Sequence, residues 1–278
     1  MKEIKRDGAI INYQVVGTGD TTLLFVHGSY IDQTYWKDQV KYFKQDYTIV
    51  TLDLPGHGKS GRDRKDWSIE GFAEDIITII KELNLRNVIL IGHSWGAAIN
   101  LIAATSNRKP VLGFICIDYF KNAGMPMMPD YEQQAASMKQ KLESDFANTN
   151  EQYARMALLT KQTPPEITSQ IINTYRNAYQ PMAIATTPEI FKIFKTEKRL
   201  LAQLQLKLYL INVDYIPTNE DSLKQNTGNG YELMHIEGTC HYPMLENPRE
   251  LNKLLQRAVH EISEDKSLKK NKTLSHQE

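Results

Sequence analysis

Short runs of apolar or alternating residues recur along the chain, and each run is bounded by glycine, proline, asparagine or aspartate. These candidate strands are residues 10–16, 23–27, 47–53, 88–91, 111–117, 206–213 and 231–236. Apolar residues with helical spacing lie between them, at residues 34–44, 68–83, 95–106, 220–226 and 248–262. This alternation predicts an α/β fold with a mostly parallel central sheet and helices on both faces. Ser68 is a candidate N-cap, and Pro248 is a candidate first residue of the last helix.

The interval from residue 119 to residue 200 breaks this rhythm, because it carries helical patterns, several prolines and no convincing strand. We interpret it as an inserted helical cap. The sequence therefore predicts a core made of residues 1–118 and 201–263, a cap of residues 119–200, and a polar, disordered tail of residues 264–278.

Charge and cysteine content exclude several classes of partner. Lysine plus arginine and aspartate plus glutamate both number 33, which gives a formal net charge of zero and argues against binding to nucleic acid or to an anionic membrane. Cys116 and Cys240 form no metal-ligand spacing, and the first residues lack the apolar centre of a signal sequence. We expect an unprocessed, soluble protein of the reducing cytoplasm.

Residues 92–96 read Gly-His-Ser-Trp-Gly between a predicted strand and a predicted helix. A nucleophilic serine on such a turn has a strained backbone, so the residues two positions before and after it must be small. Gly92 and Gly96 meet this requirement. The pattern therefore predicts Ser94 as a nucleophile.

A serine hydroxyl needs a base to remove its proton. Among the seven histidines, His241 follows the last predicted strand across a short loop and precedes a helix. That position is the carboxyl edge of the sheet, where open α/β folds bind ligands. The sequence thus predicts His241 as the general base.

Two aspartates compete for the role of the acid that orients the base. Asp214 follows the predicted strand 206–213, and Asp118 follows the predicted strand 111–117, so both lie at carboxyl ends of strands. Both keep the chain order of nucleophile, acid and base. We favour Asp214, with Asp118 as the alternative.

Attack on a carbonyl also requires two donors for the developing oxyanion. The backbone N–H of Trp95, at the start of the helix after Ser94, supplies one. The loop after strand 23–27 supplies the other, with Ser29 as the first choice and Tyr30 as the second. Gly28 lets this backbone approach the reacting centre. Tyr30 is also a candidate substrate-binding residue.

These features together resemble the α/β-hydrolase superfamily, in its capped esterase, lactonase and haloperoxidase-like branch. The likeness extends over residues 8–262 and includes the serine turn, His-Gly at 27–28, Asp-Leu-Pro-Gly-His-Gly-Lys-Ser at 53–60 and the sequence around His241. The resemblance implies that the loop containing Asp53 and His57 is structural. This chain departs from the family pattern in having Cys240 before the histidine and Asn212 where a glycine is common before the acid.

The resulting prediction is a serine hydrolase that cleaves an ester-like bond of a small, apolar substrate through an acyl-enzyme, with Ser94, His241 and Asp214 as the triad. No cofactor or metal is implied, because neither a zinc-protease motif nor a phosphate-binding glycine loop is present. Hydrolysis of carbon–carbon bonds and perhydrolysis are alternative reactions of the same triad. A small-molecule sensor on the same fold is an alternative of a different class.

Overall fold

The structure is a computed structural model that describes residues 2–126 and 129–274, with side chains described through residue 264. In these ranges one eight-stranded sheet has the order β1-β2-β4-β3-β5-β6-β7-β8. Its strands are β1 Lys2–Arg6, β2 Ala9–Val16, β3 Thr22–Val26, β4 Thr48–Leu52, β5 Val88–His93, β6 Val111–Ile117, β7 Leu208–Val213 and β8 Tyr231–Ile236. The strands from β4 to β8 along the sheet pair in parallel, so the predicted α/β fold is confirmed.

The first strand, β1, was absent from the sequence prediction. It pairs antiparallel with β2 at the edge of the sheet, and Ile4 lies opposite Ile11. The other four residues of β1 are charged. An edge strand needs few apolar residues, because much of it faces water, and its sequence therefore lacks the apolar signal of a buried strand.

The five helices predicted outside the interval between β6 and β7 are present, the last one extends beyond residue 262, and a short helix at Pro243–Glu246 was not predicted. Ser68 is the N-cap of its helix, because its hydroxyl accepts a hydrogen bond of 3.0 Å from the backbone N–H of Gly71, and Pro248 begins the last helix. Residues 33–36 form a 3₁₀ turn before the first α-helix. The helices are α1 Lys37–Phe43, α2 Ile69–Glu82, α3 Trp95–Ser106, α8 Glu220–Asn226, α9 Pro243–Glu246 and α10 Pro248–Leu274, where α4 to α7 belong to the interval described next.

The described residues between β6 and β7 contain helices and no strand. They are α4 Tyr131–Ser144, α5 Phe146–Tyr153, a π-helical turn Ala154–Leu158, α6 Pro165–Arg176 and α7 Gln180–Gln203. Helix α4 packs on α7, α5 packs on α6, and α7 also contacts α3 of the core. The helix α7 runs three residues past the predicted boundary at 200. We call the interval from α4 to α7 the cap segment, and its standing as a separate domain stays a prediction.

The last helix extends into the predicted tail. The backbone of α10 is helical through Leu274, and the predicted disorder of residues 264–278 stays a prediction. Lysine, glutamate and leucine favour helix even without an apolar face, and an ion pair of 3.2 Å between His260 and Glu264 spans one helical turn there. Residues 275–278 lie outside the described residues.

The sheet is buried on both faces, which explains the continuous apolar runs of its central strands. Neighbouring residues of one strand contribute to different apolar clusters: Leu24 and Leu90 pack with α2 and α3, whereas Leu23 and Ile89 pack with α1 and α10. All four are fully buried, and each such side chain contributes about 2 kcal/mol to folding. No helix among the described residues combines the length and the apolar character needed to cross a membrane.

Candidate active site

Ser94 lies in the turn between β5 and α3, at the carboxyl edge of the parallel strands. Its backbone has a φ of 51° and a ψ of −123°, a conformation that a residue with a side chain rarely adopts. Two hydrogen bonds hold this turn: Ser94 N–H donates to the carbonyl of Ile117 over 3.1 Å, and Ala97 N–H donates to the carbonyl of Ser94 over 2.8 Å. The strained turn predicted for a nucleophilic serine is therefore present.

The two glycines around Ser94 are required by close packing. A Cβ on Gly92 would lie 2.6 Å from the Cα of Ala97, and a Cβ on Gly96 would lie 2.4 Å from the carbonyl oxygen of Val26. Both neighbours are backbone atoms, which cannot move aside as a side chain can. The prediction that these two positions must be small is confirmed, and the contacts leave room for glycine alone.

His241 follows β8 and is largely buried. Its Nδ1–H donates to Oδ2 of Asp118 over 2.5 Å, because a carboxylate accepts and does not donate when ionised. This bond fixes the tautomer and leaves Nε2 as the ring nitrogen that can accept a proton. The ring centre of His241 lies 4.6 Å from that of His93, the residue directly before Ser94.

The carboxylate that orients His241 belongs to Asp118, which corrects the choice of Asp214. Asp118 follows β6, the strand next to β5. The N–H of Ser94 donates to the carbonyl of Ile117, the residue directly before Asp118. Asp214 is exposed, and its Oδ1 accepts a bond of 3.1 Å from the N–H of Gly238. Its carboxylate thus caps a turn after β8.

The electrostatics of Asp118 keep it ionised. Burial by itself raises the pKa of this carboxyl, but the hydrogen bond and charge of His241 and the charge of Lys121 outweigh burial, and the net pKa is lowered. Its second oxygen, Oδ1, accepts from the N–H of Val213 over 3.2 Å and lies 2.9 Å from Nζ of Lys121. A negative carboxylate is the form that can stabilise a protonated imidazole.

The loop after β3 lies against the nucleophile, as predicted. A Cβ on Gly28 would lie 2.8 Å from Nδ1 of His93 and 3.1 Å from Cβ of Ser94, so only a glycine allows this approach. Ser29 and Tyr30 follow it and are half-buried, and Tyr30 has a φ of 65°. The backbone N–H groups of this loop therefore begin beside Ser94.

Trp95 is the first residue of α3. The first N–H groups of a helix have no partner within that helix, and the helix dipole is positive at this end. A negative oxygen formed beside Ser94 would be stabilised there. The assignment of Trp95 and Ser29 as the two oxyanion donors stays a prediction.

His27 and His57 have structural surroundings. Nε2 of His27 accepts from the N–H of Leu54 over 3.0 Å, and its Nδ1 bonds the carbonyl of Gly28 over 2.8 Å. Nδ1 of His57 bonds the carbonyl of Pro55 over 3.1 Å. Burial lowers the pKa of His27 to about 4. Burial, together with repulsion from His27 when that ring is protonated, lowers the pKa of His57 to about 3. Both imidazoles are neutral at neutral pH.

Asp53 is also structural, as the resemblance implied. The carboxylate accepts from the N–H of Gln33 over 2.9 Å and from the N–H of Lys59 over 2.8 Å. It is buried, and it binds the backbone of its own loop and of the 3₁₀ turn that precedes α1.

Sequence reasoning missed two side chains that contact the His241–Asp118 pair. Lys121 contacts Asp118, and Nε2–H of His93 donates to the carbonyl of His241 over 2.8 Å. The three-residue spacing between Asp118 and Lys121 was a usable signal for the first contact. Nothing local in the sequence indicates the second, because it joins residues separated by 148 positions.

The cap segment is bonded directly to this site. The N–H of His241 donates to the carbonyl of Leu158 over 2.9 Å, and the hydroxyl of Tyr215 donates to the carbonyl of Ala157 over 2.9 Å. Both carbonyls belong to the π-helical turn, where the displaced backbone makes such bonds available. The position of His241 therefore depends on the cap segment.

Tyr30 also meets the cap segment. Its ring centre lies 5.0 Å from that of Tyr175 in α6, in an edge-on contact. Tyr175 in turn accepts a hydrogen bond of 3.0 Å from the hydroxyl of Tyr242, the residue after His241. Tyr30, the predicted substrate-binding residue, thus lies between the turn of Ser94 and the cap segment.

Residues 23–254 of the sequence match the family model described as Alpha/beta hydrolase family. The chain belongs to this family. Across 264 residues it is 25% identical to Karrikin insensitive 2 receptor CA of Petunia hybrida, which covers 90% of this chain and 95% of that receptor. Over 106 residues it is 36% identical to a strigolactone esterase of Arabidopsis thaliana, which covers 37% of this chain and 39% of the esterase.

A solved structure confirms the fold of this alpha/beta hydrolase. A thermophilic esterase from Thermogutta terrifontis, with malate bound, superposes with a TM-score of 0.81 at 18% identity, covering 94% of this chain and 99% of the esterase. At this identity the likeness concerns the fold. The strained turn of Ser94 lies beside the imidazole of His241 through the ring contact of His93, and this imidazole bonds the buried carboxylate of Asp118. This set is suited to nucleophilic attack on a carbonyl.

Proposed function

We propose that this protein is a serine hydrolase that cleaves an ester-like bond of a small, apolar molecule, in the manner of carboxylesterases and lactonases. The observation that carries this proposal is the 2.5 Å hydrogen bond from His241 to Asp118, at the sheet edge where Ser94 has a φ of 51°. The proposal includes no cofactor or metal, and a cytoplasmic location stays a prediction from cysteine content.

In the first half-reaction, Nε2 of His241 removes the proton of Ser94 as Oγ attacks the carbonyl carbon. The N–H groups of Trp95 and Ser29 stabilise the resulting oxyanion, and one such donor contributes about 3 kcal/mol to the transition state. Asp118 stabilises the imidazolium that forms. The imidazolium then protonates the leaving alcohol, which departs and leaves an acyl group on Ser94.

In the second half-reaction, His241 removes a proton from a water molecule, and the hydroxide attacks the acyl carbon. The same oxyanion donors act again. Collapse of this intermediate releases the carboxylic acid, and the imidazolium returns its proton to Oγ of Ser94. The cycle regenerates the starting protonation states.

A comparison of the native protein with Ser94→Ala tests this function. Native protein is expected to turn over p-nitrophenyl acetate and butyrate steadily, and Ser94→Ala should lower kcat by about 10³-fold or more, because the nucleophile is lost. A fluorophosphonate probe should label the native protein at Ser94 and leave the variant unlabelled. Equal ester turnover by both proteins would exclude the serine mechanism.

A second candidate, a small-molecule sensor on the same fold, is supported by one structural observation. The cap segment bonds the backbone of His241 and the hydroxyl of Tyr215, so a ligand near the triad could alter the cap segment. The similarity to a protein named as a receptor agrees with this candidate. A single burst of product, stoichiometric with protein and without steady turnover, would favour the sensor over the enzyme.

A further inference from the structure

Lys121 makes an unusual set of contacts beside the proposed triad. Its Nζ lies 2.9 Å from Oδ1 of Asp118 and donates to the carbonyls of Val213 and Ile216, each over 2.8 Å. The ammonium also lies 4.8 Å from the ring centre of Tyr215. Only 15% of the side chain is exposed, so this cation is fixed by its partners.

We propose that Lys121 is a positioning residue that fixes the carboxylate of Asp118 and, through it, sets the pH range in which His241 acts as a base. This inference rests on the proposed serine-hydrolase function for its kinetic readout. Lys121 lies outside the reacting groups, and it acts on the imidazole through Asp118.

The hydrogen bonds of Asp118 support the positioning role. Oδ2 accepts from His241, whereas Oδ1 lies between the N–H of Val213 and the ammonium of Lys121. Contacts on both oxygens fix the rotation of the carboxylate group. Since Lys121 also binds two carbonyls of the β7 end and its loop, it joins Asp118 after β6 to the neighbouring strand.

The charge of Lys121 supports the second part of the proposal. A carboxylate stabilises a protonated imidazole, and a cation on the far side of that carboxylate reduces the stabilisation. Removal of the cation should therefore make His241 easier to protonate. The base would then be lost at a higher pH than in the native protein.

Five titratable groups packed around the pair are uncharged near neutral pH. Burial lowers the pKa of His93 well below its ordinary value and raises the pKa values of the neighbouring tyrosines and cysteine. These groups come from the end of β5, the β7 loop, the loop of His241 and helix α6: His93, Tyr215, Tyr242, Tyr175 and Cys240. These five groups contribute no competing charge, whereas the carboxyl group of Glu246, which accepts from the N–H of Cys240, lies on the His241 side of the pair and is unchanged by a substitution at Lys121.

The kinetic test uses Lys121→Gln and Lys121→Arg. Glutamine keeps an N–H donor for the two carbonyls without the charge, and arginine keeps the charge. The matched control is Lys207→Gln. Nζ of Lys207 also lies 3.0 Å from a carboxylate oxygen, that of Glu232, and 5.1 Å from the ring centre of Tyr209. Lys207 precedes β7, at the end of this strand opposite to the proposed triad.

The readout is kcat/KM for p-nitrophenyl acetate from pH 4.5 to pH 9, after circular dichroism has shown that each variant is folded. We expect the acid-side midpoint to rise by about one pH unit in Lys121→Gln and to stay near the native value in Lys121→Arg and Lys207→Gln. An unchanged midpoint in folded Lys121→Gln would overturn the inference. A purely structural lysine would lower activity without moving this midpoint.

A second measurement separates this inference from the proposed function. In a Ser94→Ala background, the imidazole resonances of His241 are titrated by NMR with Lys121 or with Gln at position 121. The midpoint should be about one unit higher with Gln. If native protein has no esterase activity but the NMR midpoint shifts, the function is rejected and the inference is kept. If native protein is active but the two NMR midpoints are identical, the function is kept and the inference is rejected. If Lys121→Gln fails to fold, Lys121→Met is used in the same titration.

Discussion

Asp118 has a φ of 48° at the point where the chain leaves β6, and this turn places a buried carboxylate beside the imidazole of His241. The surrounding donors compensate for burial, so the pKa of Asp118 is lowered despite its position in the interior. An ionised carboxylate holds Nδ1–H in place and stabilises positive charge on the ring. A neutral amide at this position would do neither, because its NH₂ group could face the imidazole.

Replacing each aspartate by asparagine tests the corrected assignment. Asp118→Asn should lower kcat for aryl esters by about 10³- to 10⁴-fold, since the histidine would lose its tautomer and its counter-charge. Asp214→Asn is the matched control and should keep kcat within about twofold, because its carboxylate bonds the turn at Gly238. Steady-state kinetics of both variants show which carboxylate supports the activity. Loss of activity in Asp214→Asn alone would restore the original choice.

At the residue scale, the sequence supplied the serine and the histidine but left the acid ambiguous. Ser94 has a local motif, and His241 has a distinctive place after the last strand. Asp118 and Asp214 both follow buried strands at the same edge of the sheet, so position alone does not separate them. The decision depends on which carboxylate reaches an imidazole more than a hundred residues from Asp118, and this distance is a property of the folded chain.

At the scale of elements, helix α3 packs unusually close to β3. Its second residue, Gly96, lies so near the end of β3 that a Cβ would meet the carbonyl oxygens of Val26 and His27 at 2.4 and 2.5 Å. The second of these carbonyls directly precedes Gly28 and the loop of Ser29 and Tyr30. Close packing at this junction therefore fixes the serine turn relative to the loop that faces it.

Gly96→Ala should lower the free energy of unfolding by about 1 kcal/mol, the balance of two opposing effects. Alanine favours a helix over glycine by about 1 kcal/mol, but a clash with fixed backbone destabilises by about 1–3 kcal/mol and displaces both elements. Gly71→Ala in α2 is the control, because its Cβ would meet the side-chain ends of Asp66 and Arg64 at 2.7 and 2.9 Å. We expect its loss to be smaller. Urea unfolding measures both, and a stabilised Gly96→Ala would contradict the packing argument.

The strands and helices of the core could be predicted because their apolar periodicity reflects burial against the sheet. The edge strand β1 could not, since an edge strand carries few apolar residues. The cap segment was recognised as helical, but the π-helical turn and its bonds to His241 and Tyr215 were not visible. Such bonds join distant backbone groups, and no side-chain pattern encodes them.

At the scale of the whole molecule, buried imidazoles make stability depend on pH, and His27 and His57 show the size of the effect. The folded-state pKa values are about 4 for His27 and about 3 for His57, whereas an unfolded histidine has a pKa of about 6.5. The unfolded chain therefore binds these protons first as the pH falls. Stability from both groups is fully present above pH 6.5 and declines as the pH falls towards 4.

Between pH 6.5 and pH 5, each of the two histidines should remove about 2 kcal/mol from the free energy of unfolding. His57→Gln keeps a donor for the carbonyl of Pro55 and abolishes one titration, so its loss over this interval should be about 2 kcal/mol smaller than in native protein. His235→Gln is the control, because His235 is exposed. Urea unfolding at several pH values measures the slope, and equal slopes for His57→Gln and native protein would refute this account.

The place of Asp118 in chain order has a consequence for modularity. Ser94, Asp118 and Lys121 all precede helix α4, so the proposed nucleophile, the carboxylate partner of His241 and the accompanying cation are inherited as one contiguous segment. Exchange of α4 to α7 between homologues would transplant a new binding surface while leaving that segment intact. Such a chimera would have to preserve the bonds of the grafted backbone to His241 and Tyr215 and the packing of α7 on α3.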